Sequence, residues 1–343
     1  MDVQQLRPFI KDMLFDAGLD GSEIDVEVVC GGGNNKVFAV QAPDNKYLAK
    51  AYFSNPEDKR DRLGNEYAFL SYALSINISC VPKSFFSNSV EKIGLYEFVE
   101  GRKLLSTELT LQHVMEAARF ISELNSKENI DAVSNEQALQ LPKASEAGFS
   151  IEQHFYLVDR RINILKDLPV DFNVDQQALD FVIELDAGWQ QIKSEISSVS
   201  ESIVVELARE DRCISPSDFG FHNALLRSSG DICFIDFEYA GWDDPAKMIG
   251  DFFSQPEIPV SLDYFDAFLN ETLSYTPNKG VLAARAYLLF PIFQIKWCCI
   301  MLNEFLPVDA KRRQFANPVA ELEQRKMLQL KKAQKLFNLI QSR

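Results

Sequence analysis

Residues 215–244 read SPSDFGFHNALLRSSGDICFIDFEYAGWDD, and the fold and function of the chain depend on this stretch. Apolar runs flank the Ser-Ser-Gly-Asp cluster at 228–231, a pattern that predicts two antiparallel strands joined by a short turn. When the pairing is centred on that turn, Asn223 lies opposite Asp236, with Cα atoms about 4.5–5.5 Å apart. An amide oxygen and a carboxylate at that distance suit a hard cation such as Mg²⁺. With Asp218 beside them as a base, and no nucleophilic Ser or Cys, the stretch indicates phosphoryl transfer.

Length and composition limit the class of protein. A chain of 343 residues is too long for one compact core and predicts two lobes. The net charge of −15 argues against a nucleic-acid binder, which needs a basic face, and weakly favours a cationic small substrate. The six cysteines show no CxxC spacing, so we expect a reduced, cytoplasmic protein. The most apolar stretch, 287–302, is interrupted by Gln294 and Lys296, so no membrane span is predicted.

The pattern of the chain changes near residue 100. Three short β-rich runs lie between residues 24 and 53, and two more lie between 84 and 99. Beyond Gly101 the apolar residues follow helical spacing. We therefore expect an α+β protein with an N-terminal lobe at 1–100, built on an antiparallel sheet, and a mainly helical lobe at 101–343.

Two features of the first lobe suggest a phosphate site. The glycine-rich loop at 31–35 joins the first two strands, and its backbone N–H groups would be able to approach a phosphate, although most loops of this kind are merely loops. Lys50 stands in an apolar strand, where its ammonium group needs a partner. On the helix predicted to begin at Asn55, Glu66 shares the apolar face. We expect an ion pair between Lys50 and Glu66.

Taken in order, these residues resemble the aminoglycoside phosphotransferase and choline kinase family, small-molecule relatives of the protein kinases. The resemblance covers residues 24–253 and implies a bilobal, protein-kinase-like fold with ATP and Mg²⁺ as cofactors. It makes Asp218 the catalytic base and makes Asn223 and Asp236 the metal ligands. The residues that it assigns to the nucleotide are Gly32, Gly33, Asn34, Asn35, Lys50, Glu66, Tyr96 as gatekeeper, and the backbones of Glu97 and Val99.

Two departures from the family pattern lie close to Asp218. Pro216 and Ser217 precede Asp218, where the family usually has a histidine that braces the catalytic loop. His222 precedes Asn223, where a glycine is common. This histidine would either touch the substrate or pack locally, and local packing is favoured.

The resemblance implies a kinase that phosphorylates a hydroxyl group of a small molecule. An aminoglycoside, an amino alcohol such as choline, and a sugar-like acceptor all remain open. Glu238, Asp243 and Asp244 would suit a cationic acceptor or would equally serve as caps and supporting groups. A nucleotide-binding pseudokinase or scaffold without turnover is the alternative from another class. Only eight residues separate Asp236 from Pro245, too few for a long activation loop, so protein substrates lack support.

Overall fold

A computed structural model describes residues 3–29, 35–53, 60–128, 140–307 and 322–342. Its first part is an antiparallel sheet packed against a helix. The elements are α1 (Val3–Asp16), β1 (Asp25–Val29), β2 (Lys36–Gln41), β3 (Lys46–Ala51), α2 (Arg62–Ser75), β4 (Ser84–Asn88) and β5 (Ile93–Glu97). The strands lie in the order β1-β2-β3-β5-β4.

The alternation of side chains along β3 explains where Lys50 points. Tyr47 and Ala49 belong to the apolar cluster that includes α1, whereas Leu48 and Tyr52 contact the larger cluster on the other face of the sheet. Because successive side chains of a strand point to opposite faces, Lys50 shares the face of Leu48 and Tyr52. This face is turned towards α2.

Helix α2 begins later than the sequence suggests. Asp61 is its N-cap, and the Asp61 carboxylate accepts a hydrogen bond from the backbone N–H of Gly64 at 3.3 Å. The predicted cap, Asn55, lies outside the described residues. Glu66 lies on the buried face of α2, as its spacing predicts.

The remainder of the chain is mainly helical. The helices are α3 (Leu111–Leu124), α4 (Ile151–Leu165), α5 (Asn173–Val199), α6 (Pro245–Ser254), α7 (Phe265–Thr272), α8 (Lys279–Met301) and α9 (Leu322–Gln341). Helix α8 contacts α4, α5, α6, α7 and α9. The segment Lys279–Phe305 is long and apolar enough to cross a membrane, but 67% of its most apolar window is buried inside the protein, as in an ordinary core helix. The lobe boundary after residue 100 stays a prediction.

Two short antiparallel pairs lie between α5 and α6. Strand β6 (Cys213–Ser215) pairs with β9 (Gly241–Asp243), and β7 (Ala224–Leu226) pairs with β8 (Ile232–Phe234). Asp218 lies in the connection between β6 and β7, and Asp236 lies in the connection between β8 and β9. The two pairs therefore carry the predicted catalytic segment.

The predicted hairpin is present, but its register was wrong by one residue. Leu226 pairs with Ile232, and the backbone N–H of Ile235 donates to the carbonyl of Asn223 at 2.9 Å. Asn223 is thus opposite Ile235, and Asp236 follows one residue later.

The turn of the hairpin is the physical reason for this difference. The N–H of Gly230 donates to the carbonyl of Arg227, and the N–H of Arg227 donates to the carbonyl of Asp231. Gly230 has a φ of 92°, in the left-handed region, so the turn is a tight one closed by a glycine bulge. The bulge gives the loop an odd number of residues, which shifts the pairing of the strands by one.

The described cysteines are free thiols. They are Cys80, Cys213, Cys233, Cys298 and Cys299, and all but Cys80 are buried. Burial raises the pKa of Cys233 to about 11, so this thiol stays protonated at neutral pH. The cytoplasmic location stays a prediction.

Candidate functional site

The ammonium group of Lys50 lies between two carboxylates. Its Nζ is 2.7 Å from Oε2 of Glu66 and 2.6 Å from Oδ1 of Asp236. The side chains of Lys50 and Glu66 are 8% and 5% exposed, whereas that of Asp236 is 36% exposed. Burial alone would lower the pKa of Lys50, but the charges of Asp236 and Glu66 outweigh burial and hold this pKa well above its ordinary value. The predicted ion pair is confirmed, and it includes Asp236 as a third member.

Two tyrosines fix the position of this cluster. The hydroxyl of Tyr52 donates to Oε2 of Glu66 at 2.6 Å, and it lies 2.7 Å from the hydroxyl of Tyr96. Because Tyr52 is the donor to Glu66, Tyr96 is the donor in the bond between the hydroxyls. The ring of Tyr96 lies so close to Gly94 that a Cβ at position 94 would collide with it. The sheet therefore holds Glu66 and Lys50 in one arrangement.

Asp218 accepts hydrogen bonds from two neighbours in its own loop. His222 Nε2 is 3.2 Å from Oδ1 of Asp218, and Nδ2 of Asn223 is 3.0 Å from its backbone carbonyl and 3.4 Å from Oδ2. Burial would raise the pKa of Asp218, but His222 and Asn223 outweigh burial and lower it. Asp218 is therefore a carboxylate, and Nε2 of His222 is the donor. His222 therefore packs locally, within its own loop, and its partner there is the predicted base; contact with a substrate stays a prediction.

The turn before Asp218 is strained and held from several sides. Ser217 has a φ of 67°, a left-handed conformation that costs a non-glycine residue about 1–3 kcal/mol and persists only where the surroundings impose it. Its backbone N–H donates to Oγ of Ser215 at 2.9 Å, and its hydroxyl donates to the carbonyl of Ser145 at 3.2 Å. The strain therefore lies directly beside the predicted catalytic residue.

Lys247 supplies a brace that the sequence did not reveal. Its Nζ donates to Oγ of Ser217 at 3.1 Å and lies 2.7 Å from Oδ2 of Asp243. Asp243 and Asp251 outweigh the effect of burial and raise the pKa of Lys247 above its ordinary value. A buried ammonium group thus stabilises the loop that carries Asp218.

Asn223 and Asp236 offer oxygen atoms for a cation at the open end of the hairpin. The amide nitrogen of Asn223 is used by Asp218, so the amide oxygen remains as an acceptor. Asp236 uses Oδ1 for Lys50, and Oδ2 has no partner among the described residues. Its φ of 69° is again in the left-handed region. This donor set fits Mg²⁺, which binds through one or two protein oxygens with water and phosphate completing its shell.

No denser metal site is evident in the part of the chain that the structure describes. Groups of three or more His, Cys, Asp or Glu residues arranged to hold a metal ion are absent there. A cation at Asn223 and Asp236 would therefore take most of its ligands from a phosphate and from water.

Asn35 is the one described member of the predicted phosphate loop. The other members, which lie outside the described residues, are Gly32, Gly33 and Asn34. Its amide nitrogen donates to Oε2 of Glu238 at 2.7 Å, and its amide oxygen accepts the N–H of Phe53 at 3.1 Å. Glu238 also lies 3.2 Å from Arg62 of α2. Both ends of the Asn35 side chain therefore make a hydrogen bond within the protein, and one N–H of its amide remains as a donor.

The predicted adenine contacts lie at the end of β5. The N–H of Glu97 donates to the carbonyl of Lys83 at 2.8 Å, so a role for Glu97 towards a nucleotide falls to its carbonyl. Val99 lies beyond the strand, and its backbone makes no hydrogen bond with another described residue. It remains available as a donor and an acceptor.

The three acidic residues that were candidates for binding a cationic acceptor are buried. Asp243 is paired with Lys247, and Asp244 lies 2.7 Å from Arg285 and caps helix α6. Glu238 joins Asn35 to α2, as described above. These contacts favour the reading of caps and supporting groups.

A cavity of about 360 Å³ adjoins Asp218. Ser217, Asp218 and His222 line it together with residues from α4, α6, α8 and α9, whereas Lys50, Asn223 and Asp236 lie outside its lining. A volume of this size is suited to a small molecule. Asp218 thus borders a cavity that is distinct from the cluster around Lys50.

Sequence reasoning missed three residues of this site. Tyr52 has a readable signal, because it lies two residues after Lys50 on the same face of the strand. Lys296 lines the cavity and interrupts an apolar helix, where its ammonium group requires a partner just as that of Lys50 does. The partner is Asp251, at 2.6 Å. Lys247 has no local signal for its contact with Ser217, which is 30 residues away.

The whole chain is similar in structure to solved small-molecule kinases. The alignment with a choline kinase from Cryptosporidium parvum Iowa II covers 98% of this chain and 97% of the choline kinase, with a TM-score of 0.58 and 14% sequence identity. The alignment with a choline kinase from Streptococcus pneumoniae covers 99% of this chain and 100% of that kinase, with a TM-score of 0.60 and 13% identity. The alignment with a spectinomycin phosphotransferase, solved in complex with ADP and spectinomycin, covers 96% of this chain and 98% of that enzyme, with a TM-score of 0.61 and 12% identity.

Comparisons of sequence add nothing to this result, because no family model and no curated protein matches the chain. At 12–14% identity the structural likeness establishes the fold. The chain has the bilobal, protein-kinase-like α+β fold of the choline kinases and aminoglycoside phosphotransferases, and the predicted fold class is confirmed.

Proposed function

We propose that this chain transfers a phosphoryl group from ATP to a hydroxyl group of a small molecule. The observation that carries the proposal is the position of Asp218, a carboxylate that borders a cavity of small-molecule size and is hydrogen-bonded to Asn223. Asn223 and Asp236 supply the oxygens for Mg²⁺, and Asp236 also contacts Lys50. The proposed base thus contacts one of the two cation ligands, Asn223, and the ammonium group of Lys50 contacts the other, Asp236.

The residues divide the work of phosphoryl transfer between them. Lys50, fixed by Glu66 and Tyr52, places a positive charge against the phosphates, and the carbonyl of Glu97 and the backbone of Val99 hold the adenine. Mg²⁺, when bound by Asn223 and Asp236, neutralises charge on the phosphate oxygens.

Asp218 orients the acceptor hydroxyl and takes up its proton. The hydroxyl oxygen forms a bond to the terminal phosphorus of ATP, and the bond from that phosphorus to the bridging oxygen of ADP breaks. The proton leaves Asp218 for solvent after transfer. Phosphoryl transfer needs mainly positioning and stabilisation of charge, which these groups supply.

Asp218→Asn tests the proposal directly. This substitution keeps the size of the side chain and removes its ability to accept the proton, so kcat falls by about 10²–10⁴, the usual contribution of a positioned base. The measurement is ADP release with Mg²⁺, ATP and a panel of hydroxyl compounds, together with binding of ATP to the variant, which stays intact. Asp231→Asn, on the exposed turn of the same hairpin, is the matched control and leaves kcat unchanged. Wild-type turnover in Asp218→Asn would contradict the assignment.

A nucleotide-binding protein without turnover is the second candidate. Its support was the missing histidine before Asp218, and the bonds of Ser217 and Lys247 weaken that support because the loop is braced in another way. ATP binding without ADP release across the whole panel would favour it.

A further inference from the structure

Charged groups of both signs line the cavity beside Asp218. Its cationic residues, among those described, are Arg60, Arg161, Lys247 and Lys296. Its anionic residues, on the same basis, are Glu146, Asp218, Asp251 and Glu257. The formal charges of the described lining therefore cancel.

Most of these charges are fixed in pairs. Arg161 lies 2.6 Å from Glu146, and Lys296 lies 2.6 Å from Asp251, which is also 3.5 Å from Lys247. Burial would raise the pKa of Glu146, but Arg161, Lys296 and Lys247 lower it to about 2. The lining is thus an alternating array of held cations and anions.

Such an array attracts an ion of either sign less strongly than unpaired charges would. A cation that approaches Asp251 is attracted by the carboxylate and repelled by the ammonium groups of Lys296 and Lys247. An anion that approaches Arg161 meets Glu146 in the same way. Because both charges of each pair lie within 4 Å of each other, the two forces on a third charge partly cancel.

An aromatic site for a quaternary ammonium group is not free either. The ring of Tyr239, which lines the cavity, already has the guanidinium groups of Arg60 and Arg62 at 5.3 and 5.4 Å from its centroid. Trp297 also lines the cavity, and its indole N–H donates to Asp251 at 2.9 Å. A quaternary ammonium group bound through cation–π contacts needs several open aromatic faces. The ring of Tyr239 is already in contact with two guanidinium groups.

The same lining suits hydroxyl groups. Each hydroxyl both donates and accepts, so neighbouring carboxylates and ammonium groups satisfy both of its functions. Two side-chain amides in the lining, those of Asn303 and Gln329, make no hydrogen bond with another described residue. The two amides therefore offer donors and acceptors to a ligand that carries both kinds of group.

We propose that the acceptor is a neutral molecule with several hydroxyl groups, a sugar or polyol, and not a quaternary ammonium compound or an aminoglycoside. The inference rests on the proposed function and narrows its acceptor. One hydroxyl lies at Asp218 and is phosphorylated, and the others bind the paired charges and the free amides.

Three acceptor panels at fixed ATP and Mg²⁺ test the inference. The neutral panel contains glucose, galactose, N-acetylglucosamine and myo-inositol, the cationic panel contains choline, ethanolamine and spectinomycin, and the anionic panel contains glucuronate. ADP release is measured, and phosphorus NMR identifies the phosphomonoester. We expect kcat/KM for the best neutral compound to exceed that for every charged compound by at least about tenfold.

The outcomes separate the two proposals. Turnover that is equal or faster with choline, spectinomycin or glucuronate overturns the inference and leaves the proposed kinase function intact. Nucleotide binding without turnover of any neutral compound also overturns the inference. Absence of turnover with every compound of the three panels, with or without ATP binding, overturns the proposed function as well.

Substitutions in the free amides give an independent readout. Asn303→Ala and Gln329→Ala each raise KM for the neutral acceptor about 3–10-fold, the effect of one lost hydrogen bond, and leave KM for ATP unchanged. Asn338→Ala, an exposed position on the same helix as Gln329, is the matched control and changes neither value. An unchanged acceptor KM in both variants contradicts the inference.

Discussion

Replacing Lys50 by Met tests the buried charge cluster through the stability of the fold. The side chain of Glu66 is 5% exposed, and without Lys50 its one remaining partner among the described residues is the hydroxyl of Tyr52. Removing one member of a buried ion pair costs about 3–5 kcal/mol, because the other charge is left without compensation. Asp236 is 36% exposed and gains solvation instead, so it adds little to this cost. We expect Lys50→Met to lower the free energy of unfolding by about 3 kcal/mol or more.

The double variant Lys50→Met with Glu66→Met separates this effect from a loss of packing. Apolar side chains of similar volume in place of a buried ion pair are often neutral or stabilising, so the double variant is less destabilised than Lys50→Met alone. We therefore expect a coupling free energy of at least about 2 kcal/mol between the two positions. Urea unfolding at pH 7, followed by tryptophan fluorescence, supplies the four free energies of the cycle.

The ion pair of Lys166 and Asp186 is the matched control. Its atoms also lie 2.7 Å apart, but the two side chains are 43% and 25% exposed. Exposed pairs contribute about 0–1 kcal/mol, so the same substitutions there give a small coupling free energy. A coupling free energy between Lys50 and Glu66 no larger than that of the control would refute the reasoning that the buried pair is ionised.

Two further predictions concern the C-terminal part of the chain. Asp244 is buried, and although burial raises its pKa, the bonds from His154 and Arg285 lower that pKa to about 2. A carboxylate with a lowered pKa stabilises the fold above its ordinary pKa and loses this effect as the pH falls. We therefore expect Asp244→Asn to cost about 2 kcal/mol in urea unfolding at pH 7 and much less near pH 2, and an equal cost at both pH values would contradict the pKa. His222→Ala removes a donor to Asp218 and should lower kcat for ADP release about tenfold, with KM for ATP unchanged. His222→Gln keeps a donor and recovers part of the loss. A change in acceptor KM alone would show that the histidine does not position the base.

The sequence is a good guide to contacts that depend on short-range spacing. Lys50 meets Glu66 because the strand alternates with a period of two and the helix repeats every three to four residues, and both periods are readable in one chain. The order of strands and helices follows from the same patterns, as does the hairpin that carries Asn223. These elements depend on local propensity and burial, which the sequence contains.

The register of the hairpin and the bonds of the catalytic loop depend on information that is not local. One glycine in the left-handed conformation shifts the strand pairing by one residue from the centred turn that the sequence pattern predicts. Lys247 braces Ser217 across 30 residues, and Arg62 reaches Glu238 across 176. Charged residues that look available in a sequence are therefore often paired with distant partners, because a buried charge is costly alone.

The ion pair between Lys50 and Asp236 neutralises the charges of both residues in the absence of a ligand. The ammonium group of Lys50 lies 2.6 Å from Oδ1 of Asp236, so a divalent cation bound at Oδ2 alone would repel that ammonium group. A phosphate that approached Lys50 alone would repel the carboxylate of Asp236 in the same way. A metal ion and a phosphate that bind together give Asp236 and Lys50 each a partner of opposite charge. We therefore expect the metal ion and the phosphate to bind more tightly together than either one alone.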